Sequence, residues 1–165
     1  MALSLFTALP AQYQPTPTPR DDMPGQKLAH ADRAFLEKAT KSGMEEVDIS
    51  QAVSARLTNP QVRELAQSMV KDHMAVNAEL TTLATRKGVA LPVDKMKAME
   101  KWSKKDKDLD EDYLEAMQDD HQEAVKLFEK ACNSDDPDIA AFARKTLPSL
   151  QHHLQMVNDL KKIVK

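Results

Sequence analysis

The chain has 165 residues and a formal net charge of −3, which arises from 23 Lys and Arg against 26 Asp and Glu. Such balanced charges exclude the strongly basic surface of a typical nucleic-acid-binding protein. No apolar run approaches the roughly 20 residues that span a bilayer, so no transmembrane segment is predicted. With only three glycines and 4% aromatic residues, the composition favours helices over sheets.

The first 30 residues are predicted to lie outside the fold. Residues 1–14 include a short apolar stretch and an Ala-Leu-Pro-Ala sequence that resembles a cleavage site, but they lack the basic start of a secretory signal. They are therefore interpreted as either a remnant of an export signal or an apolar tail. The following proline-rich stretch is typical of an extended chain. We predict a tail at 1–30 and one domain at 31–165.

Four long amphipathic helices are predicted in this domain. Asn59 and Asp136 are good helix caps, and each is followed by a proline that suits the first helical turn. The predicted helices span residues 31–57, 60–87, 108–132 and 137–164. A short helix that carries Met96, Met99 and Trp102 is predicted in the link at 89–107. This pattern indicates an all-α fold, a four-helix bundle.

One polar residue interrupts an inward apolar stripe in each long helix. His73, for example, lies between Ala66 and Leu80, where a core leucine would serve. The four interruptions are Glu46, His73, His121 and His153. At about 1.5 Å of rise per residue, all four lie near the mid-height of the bundle. We therefore expect them to meet.

Three imidazoles and a carboxylate form a donor set that suits zinc, iron, manganese, cobalt or copper ions. Burying these groups without a partner would cost several kcal/mol, and a cation would relieve that cost. The sequence thus predicts a transition-metal site at these four residues. The residues expected to orient the imidazoles or accept their protons are Asp72, Tyr113, Gln118 and Asp120.

Two other interpretations fit the same residues. The histidines and Glu46 could form a metal-free hydrogen-bonded cluster that only fixes the packing of the helices. A redox enzyme with a single metal ion and an open coordination position is the third hypothesis. No catalytic residues are predicted, because nucleotide-binding and nucleophile motifs are absent. The sequence leaves the oligomeric state open, and a homo-oligomer is one of the states that it allows.

Several segments together resemble a known bacterial family. They are "SGMEEVDISQAV", "VRELAQSMVKDHMAVNAEL", "DYLEAMQDDHQEAVKLFEKA" and "FARKTLPSLQHHLQM". The chain resembles the ferritin-like family known as domain of unknown function 4142 over about residues 33–162. The positions that match the family's signature are Glu46, Asp72, His73, Tyr113, His121, Pro148 and His153.

The resemblance implies a ferritin-like bundle that is exported to the periplasm or outer envelope. Carboxylate proteins of the ferritin class build a two-metal centre with Glu-x-x-His on two helices. Here the residues three positions before the three histidines are Val70, Gln118 and Leu150. A single-metal, histidine-rich site is therefore favoured over a di-iron centre. We expect a cell-envelope protein that binds a transition metal, in metal handling or in stress defence.

Overall fold

The structure, a computed structural model, describes residues 28–91 and 97–164. These residues form five helices and no strand. The helices are α1 (His30–Val53), α2 (Pro60–Arg86), α3 (Lys97–Ser103), α4 (Leu109–Ala131) and α5 (Pro137–Leu160). The four long helices form the predicted bundle, and the short α3 lies in the link. The interpretations of residues 1–14 and of Met96 fall outside the described residues.

The helix starts follow the capping residues. The Asn59 side chain accepts a hydrogen bond from the backbone N–H of Gln61 at 2.9 Å, and Asp136 caps α5 in the same way. Two helix ends differ from the prediction. α1 ends at Val53 because the backbone tightens there into a turn, in which the Arg56 N–H donates to the Val53 carbonyl at 2.8 Å. α5 ends at Leu160, where its last residues also turn.

Contacts at the two ends of the bundle determine the direction of each helix. At the lower end, the Thr58 N–H donates to Asp110 at 3.1 Å, so α4 starts beside the turn between α1 and α2. At the upper end, the Ser134 hydroxyl donates to Asp32 at 2.6 Å. α4 is therefore antiparallel to α1 and runs in the same direction as α2. α4 therefore begins at the end of the bundle opposite to the one where α2 ends, an arrangement that ferritin-like folds share.

The link returns to the bundle near the lower end of α1. There the Arg56 guanidinium donates to the Trp102 carbonyl at 3.0 Å and to the Asp106 carboxylate at 3.1 Å. The Trp102 side chain is buried, and α3 packs against α1. None of the described helices is long and apolar enough to cross a membrane.

The buried apolar residues form two separate cores. The upper core is centred on the rings of Phe35, Phe128 and Phe142, with the first two 5.0 Å apart. The lower core includes Val53, Met69, Trp102, Tyr113 and Met117. Along each long helix, the predicted ligand lies between its upper-core and lower-core residues. We call this middle level the polar layer, and its residues are Glu46, His73, His121 and His153.

Candidate metal centre

The four predicted ligands meet at the polar layer, one from each long helix. Their exposed fractions are 1% for Glu46, 3% for His73, 0% for His121 and 3% for His153. The Nε2 atom of His121 is central. It lies 3.4 Å from His73 Nε2, 3.4 Å from His153 Nδ1 and 3.6 Å from Glu46 Oε2. One nitrogen from each of the three histidines lies within 4.8 Å of the other two.

A glycine makes room for a side chain of α2 next to this layer. A Cβ atom on Gly43 would overlap the side-chain oxygen of Asn77 on α2. Gly43 is one helical turn before Glu46, and Asn77 is one turn after His73. At the level of the layer itself, Glu46 Oε2 lies 2.9 Å from His73 Nε2.

Neighbouring groups set the tautomers of two histidines. His121 Nδ1 lies 2.9 Å from the carbonyl oxygen of Met117, which can only accept a hydrogen bond, so Nδ1 carries the proton. His153 Nε2 lies 3.1 Å from Asp72 Oδ2 and donates to that carboxylate. The lone pairs therefore reside on His121 Nε2 and His153 Nδ1, the two nitrogens that face each other at the centre of the cluster.

The two oxygens of the Glu46 carboxylate have different partners. The Ser42 hydroxyl donates to Oε1 at 3.1 Å. Oε2 is fully buried and lies 2.9 Å from His73 Nε2 in an ion pair, but it receives no aligned hydrogen bond from the described residues. A buried carboxylate oxygen without a donor is costly, and it is a suitable metal ligand.

The cluster divides into an ion pair and two neutral imidazoles. Burial lowers the pKa of His73, but the charge and hydrogen bonding of Glu46 together with the charges of Asp72 and Asp120 outweigh it, so the pKa is raised above its usual value. Burial raises the pKa of Glu46, but His73 together with His121 and Ser42 outweighs it, so the net direction is down. Burial lowers the pKa of His121, and burial with the neighbouring histidines lowers the pKa of His153 to about 4. Neutral imidazole is the form that binds metals.

Two of the four residues expected to support the imidazoles lie near them. Asp72 accepts from His153 and is itself held by the Ser68 hydroxyl at 3.1 Å. Asp120 is half-buried beside Glu46 and makes no hydrogen bond to an imidazole among the described residues. Burial and the charges of Glu46, Glu45 and Glu123 raise the pKa of Asp120 to about 7.

The hydrogen bonds of the other two residues go elsewhere, which corrects the expectation for them. The Tyr113 hydroxyl pairs with Ser50 at 2.9 Å inside the lower core, because it lies two turns below His121. Gln118 points along the edge between α4 and α5, where it donates to Asn158 at 2.6 Å. Ser42 and Ser68, which hold the two carboxylates, were not among the predicted residues. Their spacing of four residues before Glu46 and Asp72 was the available signal.

A cavity of about 360 Å³ leads from the surface to the polar layer between α1 and α4. Glu46 and His73 line its inner part, and its outer part includes exposed residues of α1 and α4. The charged residues of its outer part are Lys38, Lys41, Glu45, Asp120 and Glu123. The cavity makes the buried site accessible from one side.

Two solved structures have a fold similar to that of this chain. A "DUF305 fragment from Deinococcus radiodurans" matches with a TM-score of 0.70 and 14% identity, over 81% of this chain and 97% of the other. "CopM in the Cu(I)-bound form" matches with a TM-score of 0.68 and 16% identity, over 79% of this chain and 95% of the other. At these identities the likeness establishes the fold.

The comparison with curated proteins found no relative of this chain. The family described as "Domain of unknown function (DUF4142)" matches residues 17–160, which include all the described helices. The match begins within the predicted tail and covers most of the chain. The protein therefore belongs to the DUF4142 family, as the sequence motifs predicted.

Proposed function

We propose that the protein binds one transition-metal ion in the polar layer, with Glu46, His73, His121 and His153 as ligands. The observation that carries this proposal is the approach of the lone pair of His153 Nδ1 and the Glu46 Oε2 atom, which has no aligned hydrogen-bond donor among the described residues, to the lone pair of His121 Nε2. These are groups that a cation would satisfy together. Apolar residues at the same positions would pack without such a cost.

Two of the distances between the donors match a tetrahedral metal site. With metal–nitrogen bonds of about 2.0–2.1 Å, neighbouring donors of a tetrahedral site lie about 3.3–3.4 Å apart. The two nitrogen pairs that include His121 Nε2 are 3.4 Å apart. Glu46 Oε2 lies 2.9 Å from His73 Nε2 and 3.6 Å from His121 Nε2, so coordination requires this carboxylate to adjust.

The donor set favours borderline metal ions. Imidazole nitrogen suits zinc, copper and iron, and the single carboxylate excludes a purely soft site. Among divalent ions, Zn²⁺ and Cu²⁺ bind such ligands more tightly than Mn²⁺, Fe²⁺ or Co²⁺. The similar fold of CopM, described as Cu(I)-bound, supports a bundle of this shape as a metal carrier.

Asp72 supports the proposal from outside the ligand set. Metal-bound histidines commonly donate their second nitrogen to a carboxylate or a carbonyl, which fixes the ring. His153 donates to Asp72 and His121 to the Met117 carbonyl, so two of the three rings have this arrangement.

The direct test is elemental analysis of untagged protein. We expect about one equivalent of a transition metal in the wild type and its loss in the double variant His73→Ala/His121→Ala. His152→Ala is the matched control, because His152 is exposed and adjacent to His153. Absence of metal from the wild type after refolding with zinc, iron, manganese, cobalt and copper ions would refute the proposal.

A metal-free bundle is the second candidate, and the Glu46–His73 ion pair favours it. This pair already compensates part of the buried charge without any ion. In that case a chelator would leave the melting temperature unchanged. For the metal-binding protein, a metal at 100 times its Kd stabilises the fold by about 2.7 kcal/mol, which a chelator removes.

For the biological role, we propose metal handling or stress defence in the cell envelope. The family resemblance and the apolar stretch at residues 1–14, outside the described residues, support this location. Cell fractionation of the full-length protein tests it. Recovery in the cytosolic fraction would contradict an envelope role.

A further inference from the structure

We infer that the cavity between α1 and α4 is the path by which a hydrated cation reaches the polar layer, and that Glu45 and Glu123 attract the cation at its mouth. This inference rests on the proposed metal site. It adds the route, the side of approach and two residues that control the rate of binding. It also separates residues that hold the ion from residues that deliver it.

The first observation is the position of the cavity. Its inner part is lined by Glu46 and His73 and excludes the other two histidines. Glu46 is 1% exposed, and its Oε2 has no aligned hydrogen-bond donor. The cavity thus ends at the Glu46 carboxylate and the His73 imidazole, which are the first ligands that an arriving cation would meet.

The second observation is the charge along the cavity. Its charged lining consists of four carboxylates, on Glu45, Glu46, Asp120 and Glu123, and three cationic groups, on Lys38, Lys41 and the ion-paired His73, so one negative charge is in excess. Clefts lined by an excess of one charge concentrate ions of the opposite charge and raise association rates.

The third observation is the closure of the opposite side. His121 is 0% exposed, and His153 is 3% exposed with Asp72 bonded to its outer nitrogen. An ion that approached from the α2–α5 side would have to break this bond. The α1–α4 side requires no such change.

The test is stopped-flow binding of Co²⁺, whose visible absorption reports its coordination. We expect Glu45→Gln/Glu123→Gln to lower the association rate about three- to tenfold at low ionic strength, with the dissociation rate nearly unchanged. The difference should disappear in high salt. Glu111→Gln/Glu115→Gln is the matched control, because it removes the same charge from exposed positions of α4 outside this cavity.

A second variant tests the path itself. Ala124→Leu adds bulk to the cavity wall without touching the four ligands. It should slow association and dissociation by a similar factor, so that Kd stays constant. Cobalt bound at the wild-type rate in both variants would overturn the path while leaving the metal site standing. Absence of any Co²⁺, Zn²⁺ or Cu²⁺ binding to the wild type would overturn both proposals.

Discussion

The polar layer and the two apolar cores occupy the same four helices but follow different rules. In the upper core, aromatic rings pack edge to face, as Phe35 and Phe128 do at 5.0 Å. In the polar layer, imidazole rings approach at similar distances, with His73 and His121 5.3 Å apart, yet their nitrogens converge on one point. The cores gain stability from burial. The polar layer costs free energy of desolvation unless its groups are compensated.

The difference indicates where each part contributes. The apolar cores are expected to supply the free energy of folding. The polar layer is expected to supply binding, and it depends on a partner for its own stability. The following variants test this division, from the largest expected effect to the smallest.

His73→Leu should destabilise the metal-free protein by about 3–5 kcal/mol, because it leaves the Glu46 carboxylate buried without its cationic neighbour. The free energy of unfolding, measured by urea denaturation in the presence of EDTA, checks this value. A loss below about 1 kcal/mol would mean that the Glu46–His73 pair contributes little.

Replacing the whole layer should have the opposite sign. In Glu46→Met/His73→Leu/His121→Leu/His153→Leu no buried charge remains, and we expect stability equal to the metal-free wild type or up to about 4 kcal/mol higher. The same variant should bind no metal. A strongly destabilised quadruple variant would show that the polar layer stabilises the bundle by itself.

Substitutions in the cores should reduce stability without affecting metal content. Leu36 in the upper core and Leu114 in the lower core are both 0% exposed. Leu36→Ala and Leu114→Ala should each cost about 2–5 kcal/mol through lost burial and a residual cavity. Denaturation combined with elemental analysis checks both expectations. A loss of bound metal in the folded variants would contradict the separation of the layers.

In the metal-free protein, the two neutral histidines of the polar layer should lower the stability as the pH falls from about 6.5 to 4.5. His153 has a pKa near 4 in the folded protein and a usual value of 6.5, so the unfolded chain takes up its proton first. His121 acts in the same direction, since its pKa is also lowered. In this window the contributions of the Glu46–His73 pair to stability are nearly constant. The contribution of His73, whose pKa is raised, is complete below pH 6.5, and that of Glu46, whose pKa is lowered, is complete above pH 4.5.

This pH effect needs a matched background. The raised pKa of Asp120 acts in the opposite direction, so the comparison is made between Asp120→Asn and Asp120→Asn/His153→Gln, both in EDTA. The slope of stability against pH should be smaller without His153. Identical slopes would contradict a neutral, buried His153.

Tyr113→Phe should have the smallest effect, about 0.5–1.5 kcal/mol, because it removes only the hydrogen bond with Ser50 in the lower core. Metal affinity should not change, since the hydroxyl contacts no imidazole. A titration with Zn²⁺ in competition with a chelator measures the affinity. A tenfold weaker Zn²⁺ affinity of the Tyr113→Phe variant would show that Tyr113 supports the metal ligands after all.

The sequence was sufficient to predict the four residues of the polar layer. Their spacing within apolar stripes fixed the face of each helix, and a constant rise per residue fixed the height. Both rules are local, so they hold whichever way α4 runs. The direction of α4 itself depended on distant contacts, such as Thr58 with Asp110, that no spacing encodes.

The partners of individual polar groups were less predictable. Tyr113 and Gln118 lie near His121 in sequence, yet they form hydrogen bonds with Ser50 and Asn158. The partner of a polar group at the end of a long side chain depends on the residues that pack around it. The pairing of Asp72 with His153 joins residues 81 positions apart. The sequence predicted that Asp72 supports an imidazole, but not which one. The end of α1 at Val53 was missed because Leu57 is buried, as a helical residue there would be.

The antiparallel pairs α1–α2 and α4–α5 are two helical hairpins, and each contributes two of the four groups at the centre. Glu46 and His73 belong to the first hairpin, and His121 and His153 to the second. An ion held by all four would work as a clasp between the hairpins. Its binding free energy would oppose their separation and leave the unravelling of either hairpin almost unaffected. The occupancy of the metal site would then determine how tightly the two hairpins are held together.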